Sequence, residues 1–187
     1  MALDERNVAQ FKKRISIVQE LSEKCWSNFL LLMDERTLYP KEHFSRELSR
    51  TKELGFIING LVRIYAVDEE GAEWNKSLLR ANEFIMASIN PSLPSPVNIQ
   101  AIFTTDIFTI SYGDFMKLAI VYPEMSKLIS VLSSEHITRE KNRNNLLMIK
   151  KSADRLAHFK NEFADIYQKI SKEHIASFIG ISSEDII

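Results

Sequence analysis

The sequence predicts an α+β fold: a compact β unit with helices packed at its two ends, one of which leads into a second domain. Three observations carry this. Short runs rich in Ile, Val, Phe and Tyr lie between Leu54 and Ser111, broken by Gly, Asn and Asp, as strands joined by turns are. Apolar residues before and after that stretch recur at helical spacing. Of the 187 residues 45% are hydrophobic, enough to bury a sizeable core.

Taken in order, Asp4 to Met33 spaces Val8, Phe11, Ile15, Val18 and Leu21, then Trp26, Phe29, Leu30 and Met33, as a helix does. Two helices are expected, broken near Ser22 to Lys24. Pro40 ends the helical stretch, and Lys41 to Arg50 begins the strands. The chain turns at Asp68-Glu69-Glu70-Gly71, where glycine supplies the positive φ that a tight hairpin needs. Ile99 to Phe103 and Ile107 to Ile110 are later strand runs. Between them and the hairpin, Pro91, Pro94 and Pro96 rule out a central strand and predict a loop. Irregular backbone on a rigid scaffold is where binding sites tend to sit, although a stiff surface connection without a ligand fits equally.

From Gly113 onward the pattern is helical, first Asp114 to Val121, then a long helix with Pro123 in its first turn. Met125, Leu128, Leu132, His136, Arg139, Arg143, Leu146 and Ile149 fall three or four apart, giving one face with apolar ends and a polar middle. About 27 residues make a helix about 40 Å long, longer than a domain of this size covers. Part of it is therefore expected to meet a second copy in a two-fold dimer. The last segment places Leu156, Phe159, Phe163, Ile166 and Tyr167 on one side. Ala176 and Gly180 follow, four apart, among Ile175, Ile179, Ile181 and Ile186. That is helix-turn-helix spacing: a small residue for close approach, glycine for the turn and isoleucines for the seam.

Composition narrows the chemistry. A net charge of −1 gives no basic field over the whole molecule. Locally, six basic residues stand against two acidic ones from Arg139 to Arg155, a pattern that suits a solvated helix face or a binding patch. Cys25 is the single cysteine and sits beside Trp26 on an apolar stretch, as a small buried hydrophobe does. The histidines, His43, His136, His158 and His174, have no ligand spacing, so no metal site and no cofactor are expected. With His43 the one histidine near the β unit, no phosphate-cradling glycine loop and no Ser-His-Asp pattern, an enzyme is not expected. Nor is a membrane segment or a secretory signal, which points to the cytoplasm.

These pieces come in an order that resembles the Crp/Fnr family of transcription regulators. The likeness lies in Phe56-Ile57-Ile58-Asn59-Gly60-Leu61-Val62-Arg63-Ile64-Tyr65, Asp68 to Glu73, Asn82-Glu83-Phe84, Ile110-Ser111-Tyr112, Tyr122-Pro123 and His174 to Ser182. The resemblance implies a cyclic-nucleotide-binding-like double-stranded β-roll over 1–122, a dimerisation helix over 123–150 and a partial winged helix-turn-helix over 151–187. In cyclic-nucleotide-binding members a Gly-Glu pair holds the ribose and an Arg-Ser or Arg-Thr pair the phosphate. Met86-Ala87 and Ser95-Pro96 stand at those places here, so tight cyclic AMP binding is not expected. Another small-molecule effector, contacting Phe84, Ala87, Ser88, Ser92, Ser95 and Asn98, or an empty structural roll, are the alternatives.

The helix-turn-helix of the family would extend about four residues past Ile187, with its base-reading basic residue and its β wing beyond. From Lys150 to Ile187 the sequence carries six basic and six acidic residues. The resemblance implies a homodimer that contacts double-stranded DNA through Lys150, Lys151, Arg155, Lys172, Ser182, Ser183 and Glu184. The alternative is a dimeric ligand-sensing or interaction module that has lost DNA binding.

Overall fold

The structure, a computed structural model, describes residues 3–87 and 93–186. Asp4 opens helix α1 (Glu5–Val18) by accepting the backbone N–H groups of Arg6 and Asn7, and Ser22 opens α2 (Glu23–Leu31) by accepting that of Cys25. The break between the helices falls at residues 19–22, slightly earlier than the spacing suggested. Cys25 is fully buried, and burial, with Glu124 nearby, pushes its thiol up to about 11.

One expectation is corrected at once. The helical stretch does not continue to Pro40: Met33–Leu38 is a strand, β1, antiparallel to β8 (Thr105–Ser111) from Met33 opposite Ile110 to Leu38 opposite Thr105. Its two apolar ends are buried and its charged middle lies along an edge, so pairing with β8 overrides a local sequence that reads equally well as helix.

Two four-stranded sheets follow. One runs β1-β8-β3-β6, with β3 at Glu53–Asn59 and β6 at Phe84–Met86; the other runs β2-β7-β4-β5, at His43–Ser45, Asn98–Ala101, Leu61–Val67 and Glu73–Arg80. Alternation along the strands sends Leu38, Ile57, Val62, Ile64, Leu79, Ile85, Ile99 and Ile107 into one cluster shared by both sheets. The β3–β4 turn depends on Gly60, whose φ is +107° and where an added Cβ would stand 2.4 Å from Thr105 Oγ1. The predicted hairpin joins β4 to β5: Asp68 Oδ1 accepts from Glu70 and Ala72, its Oδ2 accepts from Trp74 Nε1 at 2.7 Å, and Gly71 takes φ +87°.

Helix α3 (Tyr112–Val121) starts on the Ser111 cap, and α4 (Pro123–Met148) runs 26 residues with Pro123 in its first turn. After a joint at Ile149 to Lys151 come α5 (Ser152–Glu162) and α6 (Lys172–Ile179), the latter ended by Gly180 in the left-handed region at φ +66°. Where a second helix was expected from Ser182 or Ser183, the chain makes one 3-10 turn, Ser183–Asp185, with Ser182 accepting from Glu184 N. Ile186 N closes that turn on Ser183 O rather than continuing an α-helical pattern. Among the described residues, no helix is long and apolar enough to cross a membrane.

Candidate functional site

Of the described residues proposed to contact an effector, Ser95 and Ala87 meet, with Ser95 Oγ 3.4 Å from Ala87 O, while Phe84 lies elsewhere. Ser95 is 2% exposed, and its hydroxyl bonds Val97 O at 2.7 Å, which fixes the chain as it re-enters the sheet. Asn98 Oδ1 accepts from Glu47 N at 3.0 Å, and Ala87 lies in the apolar cluster between the sheets. Phe84 points the other way, against Phe11 and Phe56, because alternation on β6 turns only Ile85 into the roll. Ser88 and Ser92 lie outside the described residues. The roll is tight where it is described: a Cβ on Gly55 would stand 3.2 Å from both Ile85 and Phe44.

Polar chemistry gathers instead on the outer face of the second sheet. Arg63, 6% exposed, pairs with Glu73 Oε2 at 2.6 Å and donates twice to Gln100 Oε1, at 2.9 and 2.6 Å. Its guanidinium centre lies 3.9 Å from the middle of the Tyr65 ring, and Tyr65 OH meets His43 Nε2 at 3.0 Å. Burial lowers the His43 pKa, with Arg46 and Arg63 adding to it. This network is satisfied within the sheet, apart from His43 Nδ1.

Beside it the C-terminal helices dock. Ser177 of α6 accepts from Asn75 N at 2.8 Å and donates to Glu73 O at 2.7 Å, while Asn75 Nδ2 donates to His174 O at 3.0 Å. Asn75 has no exposed surface, and its Oδ1 has no partner among the described residues. His174 is held below its ordinary pKa by burial first and by Arg63 second, with Glu73 and Glu173 opposing. Arg80, at the end of β5, pairs with Asp165 at 2.8 Å and lies over the Phe163 ring. Under these bonds the aromatic core of the C-terminal helices, Phe159, Phe163 and Phe178, reaches the roll at Leu61 and Leu78.

The polar middle of α4 packs against the chain's own roll and C-terminal helices. One cleft of about 690 Å³ lies between it, α1 and the β5–β6 turn, crossed by Arg14–Glu135 and Arg139–Glu83 ion pairs at 2.6 and 3.2 Å. A smaller apolar groove of about 70 Å³, lined by Phe84, Met86, Phe115 and Leu132, separates α3 from α4. A third cleft, of about 40 Å³, lies between β5, α4 and the C-terminal helices and holds Arg143. No sequence signal other than the polar middle of α4 announced it.

The residues proposed for DNA contact fall into two groups. Lys150 and Lys151 are exposed at the α4–α5 joint. Arg155 donates to Ile149 O at 2.8 Å and Gly180 O at 3.0 Å, tying the joint to the end of α6, and Lys172 Nζ donates to Ile186 O at 2.7 Å. Ser182 and Glu184 are exposed on the 3-10 turn and Ser183 is half-buried there. Among the described residues no group of three His, Cys, Asp or Glu side chains could hold a metal ion.

No family model matches the chain, and no curated protein does. Solved structures do. FixK2 from Bradyrhizobium japonicum superimposes with a TM-score of 0.73 at 14% identity, over 81% of this chain and 79% of its own. The c-di-GMP-responsive global regulator CLP of Xanthomonas campestris gives 0.71 at 16%, over 87% of each chain. A Crp/Fnr-family regulator from Eubacterium rectale ATCC 33656 gives 0.72 at 19%, over 88% of this chain and 79% of its own.

Proposed function

We propose that this chain, whose fold is that of the Crp/Fnr regulators, is a ligand-responsive transcription regulator acting on double-stranded DNA as a homodimer. One observation carries it: the C-terminal helices hang from the end of α4 and dock on β5 by a small junction, so a change in the roll or in α4 reaches them directly. Lys150 and Lys151 would meet phosphates, while Lys172, Ser182, Ser183 and Glu184 would lie toward the duplex. Arg155 would set the angle of the unit through Ile149 and Gly180. The effector would not be held as a cyclic nucleotide is, since Ala87 and Ser95 supply neither a carboxylate nor a cation.

A second function, a dimeric sensing or interaction module without DNA binding, is favoured by the charges: Arg155 and Lys172 bond within the chain, and Glu184 is exposed where phosphate would come. Fluorescence anisotropy with duplex DNA across a salt series separates the two. The regulator loses affinity steeply as salt rises, and Lys150→Ala/Lys151→Ala weakens binding to all sequences. Negligible binding at low salt leaves the sensing module.

A further inference from the structure

We propose that the cleft between β5, α4 and the C-terminal helices binds a small oxyanion, the phosphate or carboxylate headgroup of a diffusible ligand, with Arg143 and Arg139 as its donors. Arg143 is half-buried on the inner face of α4, yet its guanidinium makes no hydrogen bond or ion pair among the described residues, and its Nε is closed to solvent. Its two Nη groups, also unbonded, keep contact with solvent, so their donors are open to an anion from outside the chain.

The surroundings fit an anion. Arg139 lies one helical turn earlier, also with its Nε buried and unbonded; its Nη1 is held by Glu83, which fixes the side chain in place. Lys76 from β5 and Asn142 from α4 add donors at the rim. One carboxylate, Glu162, lines the cleft and opposes an anion, with His158 Nδ1 3.7 Å from its Oε2. The apolar floor, which includes Leu78, Leu146 and Phe178, lowers the local dielectric and so strengthens each charge-assisted bond. A volume of about 40 Å³ holds roughly three waters, the size of one headgroup, so the rest of a larger ligand would project outward. Two guanidinium forks suit the oxygens of such a group. Burial also lowers the Arg143 pKa.

Occupation would join α4 to β5 through one ion, beside the C-terminal helices. The site stands on its own geometry and holds whether or not the chain binds DNA.

Inorganic phosphate and acetate, each against chloride at matched ionic strength, are titrated into the full chain with calorimetry and thermal unfolding as readouts. Phosphate should bind saturably and raise the unfolding midpoint, and Arg143→Gln should weaken it about tenfold or more. Lys141→Gln, on the exposed face of the same helix, should leave binding unchanged. Saturable acetate binding lost in Arg143→Gln would support the site and assign it a carboxylate. No saturable binding of either anion, or binding retained in Arg143→Gln, overturns the proposal.

Discussion

At the N-terminal end of the roll, Phe11 has no exposed surface and meets the rings of Trp26, Phe29, Phe56, Phe84 and Phe108 at centroid distances of 4.8 to 6.4 Å. At the C-terminal end the roll offers fewer aromatic rings, with Leu61, Leu78, Ile102 and Phe103 on the helices' core and a set of directional bonds through Asn75, Glu73 and Arg80. The difference decides what each end can do. Interlocked rings lose their whole burial when separated, and water offers them nothing in return. Hydrogen bonds exchanged for water cost only about 1 kcal/mol each. The first contact therefore opens only with the fold, and the second can open alone.

The largest test of that contrast is Phe11→Ala, which should cost about 3–5 kcal/mol. Urea unfolding should show the loss across the whole transition; a loss confined to a minor early phase would mean that the two ends are not so different. Next comes Gly180→Ala. The left-handed φ of +66° and a Leu147 methyl 3.1 Å from the new Cβ make it cost about 1–2 kcal/mol. That loss should appear as faster proteolysis within α5 and α6, with the roll intact. Ser177→Ala removes the bonds to Asn75 and Glu73 and should loosen the junction by about 1 kcal/mol without moving the urea midpoint of the roll.

The smallest effect is that of pH. Burial holds His174 below its ordinary pKa of about 6.5. Above that value both docked and released states carry a neutral imidazole, and docking has its full strength. As pH falls below about 6.5 the released state takes up the proton first, so docking weakens down toward the depressed docked pKa. Limited proteolysis should therefore release the C-terminal helices more readily at pH 5.5 than at pH 7.5. His174→Gln should reduce that dependence; what remains would come from other groups, His43 among them.

Much of the fold was legible because single residues forced it. Asp68 and Gly71 wrote the hairpin, Pro123 the start of α4, and Gly180 the end of α6. Strand β1 was not legible: Met33-Asp34-Glu35-Arg36-Thr37-Leu38 has no periodicity that separates helix from edge strand, and its partner β8 lies 67 or more residues away in sequence. The site was harder. Ser95 and Asn98 looked like free polar groups in a loop, but the backbone around them uses both. Phe84 packs on Phe11 and Phe56, an orientation that a three-residue strand does not reveal. The polar middle of α4 could be read from spacing, whereas the unpaired state of Arg143 depends on β5, α4 and the C-terminal helices meeting in three dimensions.

Amide hydrogen exchange on the free protein tests the central claim, a separately releasable C-terminal unit, most directly. Amides in α6, including those of Ala176 to Ile179, should exchange through a local opening at a free energy well below that of the amides of Phe56 and Phe108, and Ser177→Ala should speed the first group alone. Equal protection in both places, lost together in the variant, would contradict it, since the C-terminal helices would then be as much a part of the roll as Phe11 is.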